Sequence, residues 1–280
     1  MNLFDRLVET ALAQDAGYAV LRPVVEKELF HYDILREMNK AGYLKQLVFI
    51  GGTCLRKCYG SERLSEDLDF AGGFSFNKQD LAGIGALLKE SLYKKYNFEV
   101  AVSEPVKETG NTSTWNIKVV TRPERSDLPT QRINIDICMI PSRDARPVML
   151  KDWYGIETGT SGLILYAESL QEILVDKIIA LALRPNRVKN RDLWDIFWLC
   201  SRNVSLPSSL LETKLADRGI AKEAFAAKYR QRLESIINGQ NDFLFEMRRF
   251  LSPSVFANDM TGVVWWECLL GMLNDMERFW

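Results

Sequence analysis

The chain has 280 residues, 47% of them hydrophobic and 26% charged, and its 36 Lys+Arg nearly cancel its 37 Asp+Glu to leave a net charge of −1. That mix excludes a disordered chain and a histone-like electrostatic binder, so any polynucleotide contact has to come from a local basic patch. A chain this long fills one large domain or two average ones and buries roughly 75% of its unfolded surface, so it needs no disulfide or structural metal.

The first residues carry Asp5, Arg6 and Glu9 where a secretory signal needs an apolar core. No uncharged apolar stretch reaches the ~18 residues of a membrane span, and the nearest, GVVWWECLLGML, is broken by Glu267. A cytoplasmic protein with no membrane contact is the expectation. Residues 1–43 read as mostly helical, with a turn near Gly17 and Arg22-Pro23, and Leu29, Tyr32, Ile34, Leu35 and Met38 form a helical stripe. The only histidine, His31, lies in that stripe and reads as a partly buried helix residue, which weakens any His-dependent mechanism. The run 47–50 reads as a buried strand that stops at Gly51-Gly52, and a short helix then runs through Tyr59 to end at Gly60. Cys54 and Cys58 share a face of that helix. No second cysteine pair follows, so these two, with Cys138, Cys200 and Cys268, read as reduced core residues and not as zinc ligands.

In SERLSEDLDFAGG, Leu68 and Phe70 alternate with Asp67 and Asp69, the pattern of a strand with one polar face. A helix is expected over 78–96 and a strand over 97–103. The segments 113–121 and 131–140 alternate apolar and polar residues as antiparallel or mixed strands, joined by the turn-rich PERSDLPT. Beyond about residue 165 the texture turns helical. Segments 169–183, 189–202, 208–217, 221–237, 240–251 and 259–279 are punctuated by Pro185, Pro207, Gly219, Gly239 and Pro253. The expected architecture is α/β (α+β): a mixed-sheet domain over residues 1–165 with N-terminal helices, and a helical domain over residues 166–280.

The strongest chemical constellation is Gly51-Gly52-Thr53 after a strand, Asp67-Leu68-Asp69 after a spacer, and Asp136 on a later strand. Glycines after a strand let backbone approach a ligand, and N–H groups at the start of the next helix cradle phosphate oxygens, with the Thr53 hydroxyl beside them. Asp67 and Asp69 point to one face and can share a hard divalent cation. In INIDICM the residues Ile133, Ile135, Ile137 and Met139 face one way, which leaves Asp136 on the polar face as a third carboxylate. Three carboxylates beside a phosphate cradle describe a site for one or two Mg²⁺ ions in phosphoryl or nucleotidyl transfer. Taken singly, a GG pair is an ordinary turn and a DxD an ordinary solvated strand edge; the conjunction carries the reading. No Walker loop is present, and GIGALL at 83–88 lacks the third glycine of a dinucleotide fingerprint.

The block FIGGTCLRKCYGSERLSEDLDF resembles the signature of the polymerase-β-like nucleotidyltransferase superfamily and, more narrowly, of the AbiEii/AbiGii toxins of type IV toxin–antitoxin and abortive-infection systems. Glu26-Lys27-Glu28 resembles an element upstream of that family's glycine motif, LQEILVDK at 170–177 its lysine helix, and RVKNRDLWD at 187–195 its fourth motif. The resemblance implies a mixed-sheet nucleotidyltransferase core whose site is completed by the helical domain. It implies that Gly51, Gly52 and Thr53 hold the NTP triphosphate and that Asp67 and Asp69 bind Mg²⁺. It further implies that Lys177 binds nucleotide phosphates and that Asp192 is the essential acid of the fourth motif. Arg63 and Ser65, within the signature, count with the nucleotide contacts. Arg191 stands before Asp192 where lysine is common, which keeps the charge and changes the donor geometry.

Lys177 emerges from an apolar helix, so it either pairs with an acid or aims at an anionic ligand, and the signature favours the ligand. Asp195, three residues from Asp192, reads as a local partner that orients the site, with Arg191 at the right spacing to pair with it. Lys177, Arg184, Arg187, Lys189 and Arg191 form a basic run with no acid among them, a track for RNA phosphates or else a solvated helix–turn–helix face. Trp194, Trp198, Trp265, Trp266 and Trp280 read as core or partner surface, with one ring of the Trp265-Trp266 pair turned outward. The leading expectation is a toxin that moves NMP from NTP to RNA, the tRNA 3′ end first among acceptors, and releases pyrophosphate. A cognate antitoxin is expected to counter it without necessarily forming a stable complex. The alternatives are a protein or small-molecule hydroxyl as acceptor, or a catalytically silent nucleotide-binding regulator, against which the intact Asp67/Asp69 pair counts.

Overall fold

The computed structural model describes residues 2–105, 110–125, 130–260 and 263–280. Part of the PERSDLPT connection, and positions 261–262 of the last expected helix, lie outside the described residues. The chain divides into two units, Met1–Gly60 with Leu64–Ala167, and Ser61–Arg63 with Glu168–Trp280.

In the first unit α1 (Leu3–Leu12) is capped by Asn2, whose side chain accepts the Asp5 N–H at 2.8 Å. A 3-10 turn (Ala16–Leu21) leads into α2 (Arg22–Lys40). Pro23 opens α2 and does not interrupt it, because the first turn has no use for its missing N–H. β1 (Val48–Ile50) feeds α3 (Gly51–Cys54), which continues as a π-helical turn (Leu55–Tyr59) and stops at the left-handed Gly60. β2 (Leu68–Ala71) follows. The helix expected over 78–96 is two pieces, a 3-10 turn (Lys78–Leu81) and α4 (Ile84–Tyr96), divided at Gly83, whose φ of +86° no helix continues through.

β3 (Glu99–Ser103), β4 (Thr112–Val120) and β5 (Gln131–Cys138) form where alternation placed them. Two further strands, β6 (Ala145–Met149) and β7 (Ile164–Glu168), were not anticipated. β6 is short, largely exposed and contains Pro147, so it carries neither alternation nor β-propensity, and its place at the sheet edge explains the tolerated proline. Among the described residues the sheet has seven strands in the order β3-β4-β5-β2-β1-β7-β6. β1 runs antiparallel to β2 and parallel to β7, while β2 runs parallel to β5. Trp115, Ile117, Val119, Ile133, Ile135 and Ile137 fill one face and are buried. β5 ends at Cys138, so Met139 does not extend the apolar row; it is half-buried and donates its N–H to the Asn111 carbonyl at 2.7 Å.

The second unit is helical: α5 (Leu170–Leu183), α6 (Asn190–Cys200), α7 (Ser208–Ala216), α8 (Lys222–Ile236), α9 (Gln240–Met247), α10 (Pro253–Met260) and α11 (Val263–Asp275). Ser169 caps α5 by accepting the Glu172 N–H at 3.1 Å. α10 was not anticipated, because Pro253 starts a helix there and does not merely end one. The outward tryptophan is also corrected. Trp265 and Trp266 are both buried, with ring centroids 4.8 and 5.5 Å from Phe243, and Trp266 Nε1 donates to the Ile237 carbonyl at 3.1 Å. Among the described residues no helix is long and apolar enough to cross a membrane.

Candidate active site

The polar end of the first unit's sheet is built by register. Ile50 pairs with Asp69 across β1 and β2, and Asp69 pairs with Asp136 across β2 and β5, so the glycine turn and two carboxylates meet on neighbouring strands. Gly51 has φ +75°, and a Cβ there would lie 3.1 Å from Asp69 Oδ2. The positive φ favours glycine, and the close approach of the carboxylate leaves little room for a Cβ. Gly52 is buried in the first turn of α3, whose leading N–H groups have no partner within the helix by geometry. Asp67, immediately before β2, accepts the Asn134 N–H at 3.0 Å. Burial, then the charges of Glu66 and Asp136, push its carboxyl above the usual range, against the pull of that N–H.

Carboxylates crowded in this way are the donor set a hard divalent cation takes. Asp67 and Asp69 are carboxylates of that kind. Asp136 lies beside Asp69 but gives one oxygen to the Thr114 hydroxyl at 2.6 Å. Among the described residues, the three-acid group whose oxygens come within 4.8 Å of one another is Glu168, Glu172 and Asp176. That group surrounds the buried Lys214 ammonium at 2.6–3.1 Å, and Arg218 pairs with Asp176 at 2.9 Å. Burial, then the charge of Asp176, pushes the Glu168 carboxyl well above the usual range, so the group is an internal ion cluster. The set Asp67, Asp69 and Asp136 is not drawn together to that distance.

Two of the expected nucleotide contacts, Thr53 and Ser65, have partners within the chain. The Thr53 hydroxyl is buried, lies 2.7 Å from Ser65 Oγ and donates to the Asp67 carbonyl. Thr53 and Ser65 therefore hold the 65–67 segment in place and do not present their hydroxyls outward. The same segment is braced from α2. Lys27 pairs with Glu66 at 2.6 Å, and Glu28 accepts the Ser65 N–H at 3.0 Å. Glu28 also takes the Tyr154 hydroxyl at 2.6 Å and faces Arg56 at 3.2 Å, while Lys57 sits over the Tyr32 ring at 3.4 Å. Burial would raise the Glu28 pKa, but the charges of Arg56 and Lys57 and the Tyr154 hydroxyl bring it to about 2. The signal for this brace was the element Glu26-Lys27-Glu28; α2 buries Glu26 and Asp33 as well as Glu28. His31 is wholly buried with Nε2 3.0 Å from the Glu66 carbonyl, and burial, then the charge of Lys57, lowers its pKa to about 3. It stays neutral and structural.

In the second unit Lys177 lies between two carboxylates, 2.7 Å from Asp192 Oδ1 and 2.6 Å from Asp195 Oδ2. Arg184 pairs with the other oxygen of Asp192, and Arg63 grips Asp195 with both prongs at 2.8 and 2.9 Å. Arg63, expected at nucleotide phosphates, is thus buried and engaged with Asp195. Arg191 does not take the i,i+4 partner: its guanidinium lies 3.9 Å from Glu246 and over the Phe250 ring at 4.7 Å, and Asp195 belongs to Arg63 and Lys177. Burial opposes charge on Lys177, yet Asp192 and Asp195 raise its pKa; burial likewise opposes charge on Asp192, yet Lys177 and Arg184 hold its carboxyl well below the usual range. The five side chains carry three positive and two negative charges, so the network as a whole is cationic. Arg187, Lys189 and Arg191 follow Arg184 at the turn into α6.

A family model described as nucleotidyl transferase AbiEii toxin, type IV TA system, matches residues 33–258. No curated protein matches the chain. MenT4, a nucleotidyltransferase toxin from Mycobacterium tuberculosis, is similar in structure over 99% of this chain and 92% of its own, with TM-score 0.59 and 15% identity, which shows a shared fold. A putative nucleotidyltransferase from H. pylori aligns over 90% of each chain with TM-score 0.43 and 15% identity.

Proposed function

We propose that this chain, which belongs to the AbiEii family of nucleotidyltransferase toxins of type IV toxin–antitoxin systems, moves NMP from NTP to an RNA acceptor, the tRNA 3′ end first, and releases pyrophosphate. The observation that carries the reading is the register Ile50–Asp69–Asp136, with Gly51 pressed against Asp69. Asp67 and Asp69, with Asp136 beside them, would hold one or two Mg²⁺ ions, which when bound neutralise charge on phosphate oxygens. Gly51 and Gly52 offer backbone N–H groups to the triphosphate, and Thr53 and Ser65 keep the Asp67 segment in register beside them. Lys177 supplies positive charge for nucleotide phosphates. Asp192 stays ionised at neutral pH with its oxygens given to Lys177 and Arg184, so its role is to orient those cations and not to take a proton. Asp195 and Arg63 fix Lys177 from the other side.

Arg184, Arg187, Lys189 and Arg191 would hold the acceptor strand. The toxin would act in the cytoplasm, arrest growth when expressed alone, and be countered by a cognate antitoxin with or without a stable complex. Incubating the chain with labelled NTPs, Mg²⁺ and either total cell RNA or lysate protein tests the reading. Label on RNA, and within it on tRNA, is expected. Label confined to protein or to a small molecule would overturn the acceptor while leaving the metal-site assignment.

A further inference from the structure

Where α5 ends, the turn over 182–186 and one face of α8 enclose a cavity of about 410 Å³. Lys228, Gln231, Arg232 and Ser235 line it from α8, at spacings of three and four that set them on a single helix face. Arg184 and Asn186 line it from the turn, and no acid is among the lining residues. The volume falls within the range of small-ligand pockets, about 300–1,000 Å³.

The C-terminal end of a helix ordinarily presents carbonyl oxygens and a negative potential, which repels phosphate. Here Arg232 Nη2 donates to the Arg184 carbonyl at 2.6 Å, so a guanidinium covers that end. Arg184 gives its own charge to Asp192. Lys228, exposed at the cavity, makes no hydrogen bond or ion pair among the described residues, and neither does Arg187 just beyond the turn. A concave, acid-free surface with one uncommitted ammonium and neutral amide and hydroxyl groups is the chemistry that receives a phosphodiester.

We propose that this cavity binds the phosphodiester backbone of the acceptor RNA and carries the basic run 184–191 onto α8. The proposal rests on the RNA reading above. It is tested by binding of bulk tRNA and of poly(U) to the full chain at rising KCl, for the wild type and for Lys228→Gln and Gln231→Glu, both exposed positions outside the core. Each variant should bind RNA roughly fivefold more weakly at low salt, the scale of one exposed charge contact. For Lys228→Gln the slope of log affinity against log salt should flatten by about 0.7, one released counterion. Binding of inorganic pyrophosphate should not change. Unaltered RNA affinity and slope in both variants, or no RNA binding by the wild type, would overturn the proposal. So would a loss of pyrophosphate binding in the variants, which would make the cavity a mononucleotide site. RNA binding that depends on Lys228, in a chain that labels only protein, would instead overturn the acceptor assignment and leave the cavity standing.

Discussion

Replacing Glu28 by Gln tests the brace beneath the Asp67 segment. The carboxylate is fully buried and faces Arg56, Lys57, the Tyr154 hydroxyl and the Ser65 N–H. The amide keeps the shape and removes the charge, so the buried Arg56 guanidinium faces a neutral group. Breaking a buried pair from one side costs about 3–5 kcal/mol. The titration gives the same scale: a carboxyl held at about 2 and not at the usual 4.5 contributes about 3 kcal/mol at neutral pH, at 1.36 kcal/mol per pH unit. Because the folded-state value is the lower one, this stability is present above pH 4.5 and is lost as pH falls towards 2. Urea unfolding followed by far-UV circular dichroism at a series of pH values should show Glu28→Gln less stable by that amount at pH 7, with the gap closing in acid. A gap below about 1 kcal/mol at neutral pH, or one that does not change with pH, would refute the reasoning.

Other outcomes follow from the same geometry. Asp67→Ala should abolish nucleotidyl transfer while near-UV circular dichroism stays native, and full activity of that variant or of the wild type in EDTA would count against metal at this position. Lys177→Ala should weaken NTP binding roughly ten- to 150-fold, the loss of a charged contact worth about 1.5–3 kcal/mol, yet remain folded because Asp192 keeps Arg184 and Asp195 keeps Arg63. Joint replacement of Arg187 and Lys189 by Glu should reduce RNA labelling and its salt dependence and leave NTP binding unchanged. Burial, then the charge of Arg56, lowers the Lys57 pKa to about 7 against the pull of Glu28. The unfolded chain therefore holds the extra proton between pH 7 and about 10.5, stability should rise with pH across that window, and Lys57→Met should flatten the rise in a denaturation series.

Register was the legible part of this protein. Alternation in 67–70 and 131–138 placed Asp69 and Asp136 on one polar face, and the strand before Gly51 placed the turn beside them. Direction of short side chains was not legible. Nothing in the pattern distinguishes a Thr53 hydroxyl aimed at phosphate from one aimed at the Asp67 carbonyl, since both need the same residue after the same glycines. Long-range pairing was equally hidden. Arg191 had Asp195 at helical spacing, but Arg63, over a hundred residues earlier, reaches it with a bidentate fit that a neighbour on the same helix does not match. β6 escaped notice because an edge strand with a proline and exposed side chains has no periodicity to read.

The network around Lys177 has a consequence for how such a sequence can drift. Each of its two acids is shared by two bases, so exchange of Asp192 strands Arg184 and exchange of Asp195 strands Arg63, while exchange of a base leaves its acid with one partner. Such positions can change together or stay as they are. Across relatives, Asp192 should therefore be inherited with Arg184 and Asp195 with Arg63, while Lys228 and Gln231, on which no side chain among the described residues depends, are at liberty to vary.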